Sequence, residues 1–236
     1  MSSPLGSSLT GYPKLWLILA LLALIAAWPQ TTRADELAVW NFNDSDLVVD
    51  HGSGSLTTNF NLANVVFTLG GTTTNARQAD PAGQAMTLQG GTSNGNNGHF
   101  ITLNVSTLGF SNIAISFATQ GTSSGFNSNQ LQYSLDGVTF VDFGSTYTPA
   151  TAFGSVPVVF NLSSVTGLNN NPNAALRIVF NGATSASGNN RIDNLVVEGA
   201  AISAIPEPTS ITLLALGLTG SLVPKWRRWR QHKHES

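Results

Sequence analysis

The side chains that could do chemistry in this sequence are few. Gly-x-Ser-x-Gly occurs twice, as Gly91-Thr-Ser-Asn-Gly95 and Gly121-Thr-Ser-Ser-Gly125. A nucleophilic serine needs that string on a sharp turn from a strand into a helix. Both copies lie in Gly/Ser/Asn-rich stretches with no helical pattern after them. The central part of the chain has two histidines, His51 and His99, each beside a glycine, and His-Glu-x-x-His is absent. Asp136 and Asp142 could serve as a carboxylate pair only across a cleft. Their places, in an Asp-Gly turn and at a strand end, give them a simpler use. No catalytic residue is assigned. With no cysteine in the sequence, thiolate metal sites and Cys nucleophiles are excluded.

Oxygen ligands are better supplied. Asn43-Asp44-Ser45-Asp46, with Asp50 close behind, could hold a structural Ca²⁺, and Asp193 could join Asp44 and Asp46 if the last strand lies beside the first. The spacing is not that of an EF-hand loop, and turn capping by Asp44 and Asp46 is the competing reading. No other cofactor is expected. For sugar recognition the useful groups are flat aromatic rings. Four of the five tryptophans (Trp16, Trp28, Trp226, Trp229) belong to the chain ends, and Trp40 reads as core. Phe126, Asn127 and Tyr147, in or near a polar loop, remain as potential ligand contacts.

These residues must be positioned by strands. Between Asp35 and Ile205 there are ten acids against three bases (Arg77, Arg177, Arg191), a net −7, and no lysine. Such a domain is a poor partner for nucleic acid. Period-two alternation, as in Ile101, Leu103, Val105 and in Ile113, Ile115, Phe117, marks strands. The pattern predicts strands over Leu37–Phe42, Val65–Leu69, Ala85–Gln89, His99–Val105 and Ile113–Ala118. It continues with Gln130–Leu135, Val138–Phe143, Val156–Leu162, Leu176–Asn181 and Arg191–Glu198. Asp136-Gly137 predicts a hairpin turn, and Pro157 predicts an edge strand or a strand start. Ser163–Thr166 could form one helical turn. The expected fold class is all-β, an antiparallel β-sandwich of jelly-roll type over residues 35–200.

The ends have a different character. Residues 1–34 read as a secretory signal peptide, with the apolar run Leu15–Trp28 forming its helix and cleavage after Ala34 or near Ala27. Residues 201–236 comprise Pro206-Glu207-Pro208, an apolar transmembrane helix at about 209–224, and a basic stop of Lys225, Arg227, Arg228 and Arg230. The apolar run is short for a bilayer core of about 30 Å, and flanking Trp226 and Trp229 suit the interface.

This three-part ending resembles the PEP-CTERM sorting signal of exported bacterial proteins. The resemblance implies recognition and processing at Pro206-Glu207-Pro208 by an exosortase-type transpeptidase. Signal peptidase and the Sec export machinery would act earlier. The protein would be anchored in the membrane before processing and reach the cell surface or the extracellular space after it. The middle carries a second resemblance, through Val39-Trp-Asn-Phe-Asn-Asp44, Leu131-Gln-Tyr-Ser-Leu-Asp-Gly-Val-Thr-Phe140, Leu176-Arg-Ile-Val-Phe180 and Gly188–Gly199. It is similar to jelly-roll, galactose-binding-like modules, which implies two sheets with the first and last strands adjacent. The expectation is an exported surface or extracellular-matrix protein with a non-catalytic structural or adhesive sandwich. A carbohydrate-binding module acting on exopolysaccharide is the alternative, and a secreted hydrolase the second.

Overall fold

The computed structural model describes residues 34–202. The signal peptide, Pro206-Glu207-Pro208, the apolar run and the basic stop lie outside the described residues. No helix among the described residues is long and apolar enough to cross a membrane.

Alternating side chains fold residues 34–202 into two antiparallel sheets. The strands are β1 (Ala34–Trp40), β2 (His51–Gly52), β3 (Ser55–Thr58), β4 (Val65–Leu69), β5 (Gln84–Gln89) and β6 (Phe100–Asn104). They continue with β7 (Phe110–Gly121), β8 (Asn129–Ser134), β9 (Val141–Tyr147), β10 (Val158–Asn161), β11 (Ala175–Val179) and β12 (Asn189–Ala201). One sheet has seven strands, with the order β10-β7-β12-β1-β2 and β5-β4 joined to β12. The other has five, in the order β3-β6-β11-β8-β9. From β6 to β12 the chain passes repeatedly from one sheet to the other, so neither layer folds without its partner. The inward faces meet in one core that includes Trp40, Met86, Ile101, Phe117, Phe126, Leu131, Phe180 and Leu195.

Most expected strands are present, and their deviations have local causes. β12 is long because β7 follows it along one side while β5 and then β1 share the other. The first and last strands are therefore paired. β9 starts at Val141 rather than Val138 because the Asp136 carboxylate accepts N–H bonds from Val138 (2.8 Å) and Thr139 (2.7 Å), holding both in the turn. Gly137 takes the positive φ of 77° expected of the Asp-Gly pair. β10 begins just after Pro157 and is a sheet edge. The helical turn forms downstream of Ser163–Val165, as a 3-10 turn at Thr166–Leu168. β2 and β3 carry a single buried apolar side chain between them, Leu56, so they leave no alternation to read.

The outer faces of the two sheets are treated differently. The β4–β5 connection, residues 70–83, lies across the seven-stranded sheet. Asp193 and Asn194, where β12 passes from β5 to β1, pin this strap. The Asp193 carboxylate accepts N–H bonds from Thr72 (2.6 Å) and Asn194 (2.9 Å). The Asn194 side chain donates to the carbonyls of Thr72 and Thr74, and Asn75 donates to Ser116 and to the Asn194 carbonyl. Arg77 closes the strap with ion pairs to Glu36 (3.2 Å) and Glu198 (3.3 Å). Among the described residues no such strap crosses the five-stranded sheet.

Candidate ligand-binding face

The open outer face follows from strand register. On β6, Ile101 and Leu103 point inward, so Phe100, Thr102 and Asn104 point outward. The pairing then places Thr57, Thr102, Arg177, Gln132 and Asp142 in one row across all five strands. Arg177 stands in the middle. Its Cζ lies 3.8 Å from the centroid of the Phe100 ring and 3.4 Å from that of Phe140. At those distances only the two opposite faces of the guanidinium leave room for both rings. Arg177 Nε donates to Thr102 Oγ1 (3.1 Å), which fixes the rotation of the plane. Desolvation by its neighbours lowers the Arg177 pKa, yet a guanidinium stays charged in water.

Polar groups extend the row. Gln132 Nε2 donates to Asp142 Oδ1 (2.8 Å), and Asn104 Nδ2 donates to Ser55 Oγ (3.3 Å). Thr57, Asn104 and Asp142 are exposed, while Arg177, Phe100, Phe140 and Gln132 are half-buried. The face thus combines fixed aromatic rings, a cation, a carboxylate, amides and hydroxyls on a rigid sheet. A groove of about 320 Å³ opens nearby at the β8–β9 turn, between Tyr133, Leu135, Asp136, Thr139 and Val141.

The residues expected to contact a ligand are placed elsewhere. Phe126 is corrected to a core residue at 1% exposure, packed edge-on against Phe60 (5.8 Å) and Phe180 (5.7 Å). Its loop folds back over the end of the sandwich, and burying a phenyl ring outweighs the polar character of its neighbours. Tyr147 lies between Phe117 and Phe160, with ring centroids 5.8 Å away in each case. Its hydroxyl is buried without a hydrogen-bond partner among the described residues, and burial pushes its pKa up. The Phe126 ring is withheld from any ligand, and the Tyr147 ring is half-buried against the core. Asn127 is exposed, and its carbonyl accepts the Thr148 hydroxyl.

Two of the three proposed calcium ligands, Asp46 and Asp193, are committed to backbone. Asp46 accepts the Val48 N–H (2.8 Å), Asp193 serves the strap, and Asp44 stays exposed. Among the described residues no group of three His, Asp or Glu side chains is arranged to hold a metal ion. The structure does not bring Asp44, Asp46 and Asp193 together as ligands. Burial raises the Asp193 carboxyl to about 7, against the opposing pull of the Thr72 and Asn194 N–H groups and of Arg191.

The serine strings also have other uses. Ser93 sits in a short 3-10 turn at φ 53°, and Ser123 lies in the exposed bend after β7. No α-helix follows either one. His51 Nε2 is 3.4 Å from Asp80 Oδ2, and the His99 ring packs against Phe60 at 5.5 Å. Asp136 is held well below the usual carboxylate range by the Thr139 and Val138 N–H groups and by Ser134.

Sequence reasoning passed over Phe100, Phe140 and Arg177. The available signal was Phe100 on the outward side of an alternating strand, together with an arginine inside the apolar run Leu176–Phe180.

No family model matches the chain, and no curated protein matches it in sequence. Among solved structures, one similar chain is the CBM22-1 xylan-binding domain from Paenibacillus barcinonensis. It has 11% identity and a TM-score of 0.43, covering 74% of this chain and 100% of that one. Another is the K3 cleaved adhesin domain of Lys-gingipain from Porphyromonas gingivalis. There the identity is 12%, the coverage 70% and 99%, and the TM-score 0.44. A third is the family 29 carbohydrate-binding module CBM29_1 from Piromyces equi, at 9% identity, 75% and 97% coverage and a TM-score of 0.41.

Proposed function

We propose that this chain is an exported protein whose sandwich, a jelly roll of galactose-binding-like type, binds carbohydrate without catalysing a reaction. One observation carries the binding reading: the open face of the five-stranded sheet. Phe100 and Phe140 offer apolar ring surface for the C–H side of a sugar. Thr57, Asn104, Gln132 and Arg177 offer hydrogen-bonding groups for its hydroxyls. All of them stand on paired strands or beside one, so little ordering entropy is lost on binding. This favours binding over a purely scaffolding sandwich, and adhesion to exopolysaccharide would follow from it.

In the same reading the ends direct traffic. The signal peptide takes the chain to the Sec machinery and is removed by signal peptidase. An exosortase-type transpeptidase then acts at Pro206-Glu207-Pro208, while Lys225, Arg227, Arg228 and Arg230 hold the tail in the cytoplasm and the apolar run stays in the membrane. The mature domain reaches the cell surface or the extracellular matrix. The support is the order of the three C-terminal parts and the contrast between two apolar, basic ends and an acidic middle.

Affinity electrophoresis of the full-length chain through gels containing polysaccharide tests the binding half. Retardation that is lost in Phe100→Ala with Phe140→Ala is the expected result, and unretarded migration in every polysaccharide refutes it. Mass spectrometry of surface material tests the sorting half. An intact arginine-rich tail there, or unchanged destination after Pro206→Ala with Pro208→Ala, refutes that half.

A further inference from the structure

Each of the three cations within residues 34–202 has a definite environment. Arg77 is neutralised by Glu36 and Glu198. Arg191 gives Nη2 to the carbonyls of Thr68 (2.8 Å) and Leu69 (2.9 Å) and feels the charge of Asp193. Arg177 differs from both. Among the described residues no carboxylate lies within ion-pair distance of it, and Nε alone has a hydrogen-bond partner, Thr102. Both Nη atoms keep their donors, and Phe100 and Phe140 cover the two faces of the plane.

This arrangement restricts what can approach. A ligand must come in the plane of the guanidinium, to the edge formed by Nη1 and Nη2. Two parallel N–H donors in one plane match the two oxygens of a carboxylate. The rings exclude water from above and below, which strengthens the ion pair relative to an exposed one. Neutral sugar hydroxyls can accept from the same edge but bring no charge to pair with the guanidinium.

We infer that Arg177, held between Phe100 and Phe140, reads the carboxylate of an acidic sugar, so the ligand of this face is a uronate-containing polysaccharide. The inference rests on the carbohydrate-binding reading and adds its chemical class. Orientation follows from the neighbours. Asp142 lies two strands from Arg177 in the same row, across Gln132, about 10 Å away at the usual strand spacing. It repels a second carboxylate on that side. The rest of the acidic chain therefore runs over Thr57, Ser55 and Asn104, on the side that carries hydroxyls and an amide.

The test compares polygalacturonate and alginate with their methyl esters, and with neutral xylan and dextran, on the full-length chain. Methylation removes the charge and keeps the backbone. Expected is at least tenfold tighter binding to one of the acids than to its ester, weakening as NaCl rises. Arg177→Gln should abolish that preference. Asp142→Asn, which keeps the acceptor for Gln132, should raise the ratio of acid to ester binding a few-fold. This second variant decides the matter should Arg177→Gln lower stability. Equal binding of acid and ester, or a preference untouched by both substitutions, overturns the inference while the carbohydrate reading stands. Absence of binding to any polysaccharide overturns both.

Discussion

Truncating Phe140 should loosen Arg177 and little else, and a double-mutant cycle reads that coupling directly. A cation over an aromatic face contributes about 0.5–1 kcal/mol when exposed and about 2 kcal/mol when desolvated. Arg177 is half-buried, with both rings inside 4 Å, so about 1 kcal/mol per ring is expected. Arg177→Ala removes both stacks and the Thr102 hydrogen bond, itself worth about 1 kcal/mol. Its total cost should be about 2–3 kcal/mol. For a domain of this size that lowers Tm by roughly 4–12 °C. Phe140→Ala loses one stack and part of its own burial. The double variant should then be about 1 kcal/mol less destabilised than the two single losses added together. Arg177→Lys keeps the charge but loses the plane and Nε, so most of the loss should persist. The assay is urea unfolding followed by circular dichroism or tryptophan fluorescence. Single effects that add to within about 0.3 kcal/mol, the behaviour of independent sites, refute the stack.

Two further outcomes follow from the interior. Burial raises the folded Asp193 carboxyl from 3.8 to about 7, so the folded state keeps its proton to higher pH than the unfolded chain does. Stability from this group is full below about pH 4 and is lost as pH rises to about 7; urea midpoints across that range should fall in the native chain and flatten in Asp193→Ala, and equal slopes refute the assignment. Phe126→Ala should cost about 3–5 kcal/mol, as large core truncations do, while leaving polysaccharide affinity unchanged at temperatures where the variant is folded. A lost affinity with unchanged Tm would return Phe126 to the ligand face.

Part of this molecule could be read from residue order alone. Ile101 and Leu103, then Ile113, Ile115 and Phe117, alternate with polar or small residues, and a period of two admits only a half-buried strand. Asp136-Gly137 marked its turn and Pro157 its edge for equally local reasons, a side chain that caps its own backbone and a missing donor. What lies on the outward face of a strand is decided by the same alternation, so the outward place of Phe100 was implicit in the inward place of Ile101.

The composition of a loop, by contrast, does not say which way its aromatic residue turns. Phe126 and Tyr147 sit among Gly, Ser, Asn and Thr and are nevertheless drawn inside, because Phe60, Phe180, Phe117 and Phe160 from distant segments enclose them. The acids near residue 45 and Asp193 suggested one cluster, yet the Thr72 N–H of the strap and the N–H of Asn194 claimed Asp193. Meeting of Phe100, Phe140 and Arg177 depends on the register of β6, β8, β9 and β11, partners up to 77 residues apart in sequence. Local order fixes which face of a strand a side chain takes; only the pairing of remote strands fixes its neighbours there, because register is set by the whole buried core and not by any one segment.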